Sequence, residues 1–197
     1  MDTIVKKTRT RLSPEKRKQQ LLDFALEVFA RRGIGRAGHA DIADMANVSV
    51  ATVFNYFPTR EALVEQVLSQ VEAHFHQLLK ESLDTTQPVE SQLTTLCYRL
   101  IDDVIEQQDW VKVWFEWSTS VRDEIWPLFT SSNQKNFDLF TALFEQAEPH
   151  ASLSAKEQAW QFQGLFYVLY LQTNISPNGE QMQAQADTHI RALLPRH

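Results

Sequence analysis

The sequence predicts an all-α protein of about nine helices. Three observations predict it. Apolar residues recur at three- and four-residue spacings in one segment after another. No stretch carries the alternation of apolar and polar residues that marks a half-buried strand. The periodic segments are bounded by Ser, Thr, Asn, Gly and Pro, the residues that cap and break helices. Composition agrees with a packed chain: of 197 residues 43% are hydrophobic, and only 5 are Gly and 7 Pro. This excludes a collagen-like or disordered chain.

The first helix starts at Ser13-Pro14-Glu15. Ser13 is the cap, Pro14 suits the first turn, and Glu15 meets the positive end of the helix dipole. Leu21, Leu22, Ala25, Leu26, Val28 and Phe29 form its apolar face, and Gly33 stops it. A short helix over Asp41–Ala46 and a second over Val50–Phe57 are joined by Asn47-Val48-Ser49, and Pro58 ends the pair. Two short helices with a three- or four-residue turn make a helix-turn-helix. Ala43 is small where the helices cross, Asn47 tolerates a left-handed turn, Val48 plugs the turn and Ser49 caps the second helix. Val53, Phe54 and Phe57 are expected to face the core. Ser49, Ala51, Thr52, Asn55 and Tyr56 are left facing outward, small or hydrogen-bonding and without charge, as a groove floor requires.

Charge is uneven along the chain. Residues 1–60 hold 11 Lys or Arg against 6 Asp or Glu, and residues 61–197 hold 8 against 19. Lys6, Lys7, Arg9, Arg11, Lys16, Arg17 and Lys18 crowd the first 18 positions. From charge alone this is either a solvated tail or a polyanion-binding arm; beside a helix-turn-helix the arm is the better reading. Arg9 and Arg11 suit insertion into a narrow minor groove. Lys16, Arg17 and Lys18 read equally as phosphate neighbours or as solvated residues. In the second helix of the motif Asn55 is expected at a base or a phosphate, and Ser49, Val50 and Thr52 at base edges or thymine methyls. Tyr56 and Arg60 are expected at phosphates. His39 is expected near a phosphate or as the cap of its helix.

The run HADIADMANVSVATVFNYFPTREALVEQVL over residues 39–68 resembles the DNA-binding domain of the TetR family of transcription regulators. The stretch RTRLSPEKRKQQLLDFALEVFARRGIGRAGHADIA and the run VKVWFEWSTSVRDEIWPLF (111–129) are similar to the quorum-sensing master regulators of vibrios and their relatives, the LuxR/HapR/LitR type. The likeness is weak after about residue 135. It implies a basic N-terminal arm, a homodimer formed through the last two long helices, and a ligand pocket in the body. The positions matching that pocket's lining are Phe75, Leu78, Trp114 and Asn133. It also implies a regulator that both activates and represses. A two-fold dimer implies a pseudo-palindromic operator.

Gly33-Ile-Gly35-Arg-Ala-Gly38 matches G-x-G-x-x-G, the dinucleotide fingerprint. That fingerprint must follow a strand. Here it follows a long helix, so it reads as a helix stop and loop.

Thr59-Arg-Glu starts a long amphipathic helix with Leu63, Val64, Val67, Leu68, Val71, Phe75, Leu78 and Leu79 on its apolar face. Asp84–Pro88 breaks it. Further helices are expected over 89–107, 109–120, 131–147, 154–173 and 180–194, with boundaries near Pro127 and at Pro177-Asn178-Gly179. Trp110, Trp114, Trp117 and Trp126 are either core packing or the wall of a pocket. The helix over 154–173 is apolar nearly all round, with Gly164 at its middle. It must be buried in the core or against a second copy. The domains are read as an arm over 1–12, a DNA-binding domain over 13–60 with its helix-turn-helix at 39–57, and a regulatory and dimerisation domain over 61–197.

Nothing points to an enzyme. Asp102-Asp103 and Asp123-Glu124 are adjacent on helices and point apart. His74 and His76 are a poor metal spacing, and Cys97 lies on an apolar face, so no cofactor and no metal are expected. No apolar run is long enough for a membrane span, and the N-terminus lacks the apolar core of a signal peptide; a cytoplasmic protein is expected. The expected partners are double-stranded DNA, a second copy and a small hydrophobic ligand. Two further readings stay open. One is a repressor of efflux or metabolic genes relieved by a small molecule. The other is an interaction module on the same scaffold that does not bind DNA.

Overall fold

The computed structural model describes residues 13–194. Arg9 and Arg11 lie outside them. Among the described residues there are nine helices and no strand: α1 (Pro14–Arg32), α2 (His39–Ala46), α3 (Val50–Tyr56), α4 (Arg60–Ser82), α5 (Val89–Ile105), α6 (Asp109–Ser118), α7 (Trp126–Gln146), α8 (Ala155–Ile175) and α9 (Gly179–Leu193). The chain forms two compact units, one running to Val67 and one starting at Leu68. The first unit therefore takes the opening two turns of α4 with it.

The local rules explain most boundaries. Ser13 accepts the Lys16 amide at 3.3 Å, and Gly33 ends α1 with φ at 84°. Asn47 takes the left-handed conformation between α2 and α3 with φ at 52°. Ser49 accepts the Thr52 amide at the start of α3, and Thr59 accepts the Ala62 amide at the start of α4. Asn178 caps α9 in the same way. The glycine run is a helix stop and a loop leading into α2, with Gly38 at its N-cap.

Two expectations need correction. Helix α7 begins at Trp126, not at 131. Pro127 is in its first turn, where a missing amide costs nothing, so the proline opens this helix. Phe54 does not face the core: 45% of it is exposed, while Val53 and Phe57 are fully buried. Val53 and Phe57 are four residues apart and share one side; Phe54 is a further 100° round the helix.

In the first unit Leu21, Ala25 and Phe29 of α1, Ile42 of α2, Val53 of α3 and Phe57 are fully buried. Here α2 packs on α1 and α3 packs on α2. In the second unit α5, α8 and α9 pack on one another, and α7 packs on α8. Aromatic rings fill this core. Phe162 meets Phe140 and Phe166 edge-on at 5.2 and 5.1 Å, and Phe75 stacks on Trp114 at 5.0 Å.

Candidate nucleic-acid interface and ligand cleft

The outward face of α3 is built from its cap. The Ser49 hydroxyl lies 2.8 Å from that of Thr52, so both groups sit together at the N-terminal end of the helix. Val50 is 42% exposed, Asn55 is exposed, and Thr52 and Tyr56 are half-buried. No charged residue lies between Asn47 and Arg60. The surface is thus neutral, small at its start and able to hydrogen-bond through Asn55.

Phe54 belongs to this face. Its ring lies flat on His39, with centroids 4.0 Å apart and planes 6° from parallel. His39 is the first residue of α2, but it is 7% exposed and its Nε2 is 2.7 Å from the Phe57 carbonyl. It pins the start of α2 to the end of α3. Gly38, not His39, is the N-cap of α2. Apolarity alone puts the Phe54 ring in the core; the four-residue step from Val53 to Phe57 is the signal in the sequence that the buried side lies elsewhere.

Arg60 is also partly spent inside the protein, its Nη2 donating to the Ile34 carbonyl at 2.7 Å. That bond ties the start of α4 to the loop before α2. Arg31 and Arg32 are paired with Glu27 and Asp41. Lys16 and Arg36 stand exposed.

In the second unit a cleft of about 350 Å³ opens between the end of α6, α7 and α8. Trp126, Phe129 and Phe137 of α7 and Trp160 and Tyr167 of α8 supply its aromatic walls. Asn133, Gln163 and Ser118 supply its polar groups, and Lys156 stands on its lining. Asn133 donates through Nδ2 to Gln163 Oε1 at 3.2 Å. Burial raises the Tyr167 phenol above its ordinary range, partly offset by its hydrogen bond with Ser118, so the hydroxyl stays protonated.

Of the four residues expected to line one pocket, only Asn133 is on this cleft. Phe75, Leu78 and Trp114 are 2%, 5% and 4% exposed and pack into the core instead. Trp114 touches Phe75, Phe115, Phe166 and two residues that line the cleft, Phe129 and Tyr167. Cys97 is fully buried, and desolvation pushes its thiol well above the ordinary range, leaving it inert. His74 stacks on Trp110 at 6.0 Å. Among the described residues no His, Cys, Asp and Glu group could hold a metal ion, and no helix is long and apolar enough to cross a membrane.

Residues 21–67 match the model of the TetR family of bacterial regulatory proteins. The chain is 47% identical to the HTH-type transcriptional regulator LuxR of Vibrio harveyi, across 98% of this chain and 96% of that one. It is similar in structure to a TetR-like transcriptional regulator from Rhodococcus sp. RHA1, with a TM-score of 0.76 at 18% identity, covering 91% of this chain and 96% of the other. It is also similar to the regulator FadR of Bacillus subtilis in complex with stearoyl-CoA, with a TM-score of 0.73 at 14% identity, covering 89% and 97%. At those identities the structures speak for the fold. The sequence identity across nearly both full lengths, together with a helix-turn-helix of the geometry described, places the chain in the TetR family of bacterial transcriptional regulators.

Proposed function

We propose that this regulator is a homodimer that reads a pseudo-palindromic site in duplex DNA and acts as a quorum-sensing master regulator of the LuxR type, in the cytoplasm and with no enzymatic activity. The observation that carries the DNA reading is the neutral, exposed face of α3 (Val50, Thr52, Phe54, Asn55), held rigidly by the His39 pin and the Ser49 cap. A recognition helix enters the major groove by its N-terminal residues, and this one presents small and hydrogen-bonding side chains there. Ser49, Tyr56 and Arg60 stand at the edges of that face for phosphates, with Arg9 and Arg11 reaching the minor groove. His39 supports the face from beneath.

The dimer reading rests on α8. Trp160, Val168, Leu171 and Ile175 are 58%, 38%, 61% and 75% exposed. With Gly164 they follow one another at steps of four, four, three and four residues, which makes one continuous apolar stripe along the helix. A stripe of that length left in water marks an association surface. A second copy covers it, and two-fold symmetry then presents two reading heads.

The 350 Å³ cleft favours a second reading, a repressor relieved by a small molecule. Its size and its mix of aromatic walls with a few polar groups suit a small hydrophobic ligand. FadR, a neighbour in fold, was solved with stearoyl-CoA.

The test is repeated selection from random duplexes at about 0.15 M salt, near physiological ionic strength, followed by sequencing. A pseudo-palindromic motif with an A·T-rich flank is expected. No enrichment overturns the DNA reading. A thermal-shift screen of small molecules decides the second reading. A ligand that raises Tm and also lowers affinity for the selected motif establishes relief of repression. A panel with no such ligand favours control by protein amount.

A further inference from the structure

A second opening in the C-terminal unit has a different chemistry. A groove of about 430 Å³ runs between α4, α5 and α7. It shares no lining residue with the cleft that holds Asn133. Its walls are aliphatic, made by Leu79, Leu83, Leu139 and Leu143, and Leu139 is left 40% exposed. Lys80 and Lys135 stand on its lining from two different helices. The chain after residue 60 has only four lysines among 19 carboxylates, so two on one groove, with no acid among its lining residues, is a local reversal of charge. Neither lysine forms an ion pair among the described residues; the nearby Glu81 is held by Arg99 and Gln77.

The α5 wall adds an unpaired acceptor. Gln92 is 2% exposed and lines the groove. Its Nε2 donates to the Gln87 carbonyl at 2.9 Å, but its Oε1 is buried with no hydrogen-bond partner. A buried acceptor left unpaired costs about 1–3 kcal/mol. A ligand that donates one hydrogen bond removes that cost.

We infer that this groove is a small-molecule site, separate from the aromatic cleft, for an amphiphilic anion. The ligand has an aliphatic body, a carboxylate that pairs with Lys80 and Lys135, and a hydroxyl or amide donor for Gln92. Aliphatic walls exclude water from the body and strengthen the charge pairing at the mouth. The groove carries a positive rim in an acidic unit, so it selects anions over cations of the same body.

The probe is 3-hydroxydecanoate, titrated calorimetrically into the full-length protein, with decanoate, decanol and decyltrimethylammonium as comparisons. 3-Hydroxydecanoate is expected to bind tightest and the ammonium least. Leu139→Trp fills the groove from an exposed position and is expected to abolish binding. Lys80→Glu with Lys135→Glu is expected to weaken both acids at least tenfold and to leave decanol within about twofold. Thr130→Trp fills the aromatic cleft instead and is expected to leave acid binding unchanged. Circular dichroism and Tm establish that each variant is folded; all four substituted positions are exposed. Binding lost in Thr130→Trp and kept in Leu139→Trp overturns the inference and puts the acid in the aromatic cleft. Failure of the wild type to bind any probe overturns it outright.

Discussion

His39 and Asn55 show how one short segment divides structural and recognition work between side chains. His39 follows a glycine cap and is nearly buried, with its ring between the Phe57 carbonyl and the face of Phe54. His39→Ala leaves that buried carbonyl without its partner, and a loss of about 1–3 kcal/mol in unfolding free energy is expected by urea titration. Unchanged stability with weaker DNA binding would instead return His39 to a phosphate. Asn55 is exposed and in the middle of the outward face. Asn55→Ala is expected to weaken binding to the selected motif by about 1–3 kcal/mol while leaving binding to random duplex unaltered. Fluorescence anisotropy with both duplexes separates the two, and an equal loss on both would make Asn55 a phosphate contact. Both residues were singled out from sequence. Only the buried ring of His39 shows that it is a pin, because burial is a property of neighbours from α3.

Among the elements, α8 is the most completely specified by local chemistry. Ser154 accepts the Glu157 amide at 3.3 Å, and Glu157 accepts the Ser154 amide at 2.8 Å. This reciprocal cap starts a helix whose outer stripe is apolar and which therefore needs another source of stability when single. Ser154→Ala is expected to cost about 1 kcal/mol in a chemical melt. The Ser154 hydroxyl, and then its amide, hold the Glu157 carboxyl below its ordinary range. A carboxyl lowered in the folded state adds stability above its ordinary pKa and loses it as pH falls through the folded value. The Glu157 titration, followed by NMR, is therefore expected to move up toward the ordinary value in Ser154→Ala. Asp103 works in the opposite sense: burial, then the neighbouring Glu106, raises its carboxyl, so its contribution fades as pH climbs through that raised value. At this scale the missed start of α7 has a simple origin. A proline reads as a boundary, and whether it closes one helix or opens the next depends on which side continues.

For the whole molecule, the charge division and the α8 stripe make two joint predictions. Arg9→Ala with Arg11→Ala is expected to flatten the dependence of log affinity on log salt by up to about two units of slope, since each phosphate charge that the arm neutralises contributes about 0.9. An identical slope in the variant would mean that the arm does not meet DNA. Leu171→Glu with Ile175→Glu places carboxylates on the most exposed part of the stripe. Sedimentation is expected to show monomers of normal helicity, with affinity for a full palindrome falling to that for a half-site. A dimer that persists would move the interface to another face.

Legible in the string alone are the succession of helices apart from the start of α7, the Ser13 and Ser49 caps, the left-handed Asn47 turn, and the basic start with its acidic remainder, because each depends on interactions within a few residues or on composition. The family is legible through long runs of matching residues. Packing between helices settles where the aromatic side chains lie. Phe75, Leu78 and Trp114 are buried where α4, α6 and α8 meet, and Asn133 of the four lines the open cleft, because burial depends on which helices pack together and not on the local string. The groove beside Lys80, Gln92 and Lys135 is invisible in the string for the same reason. Its three signals lie on three helices, and only the packing of those helices brings them to one opening.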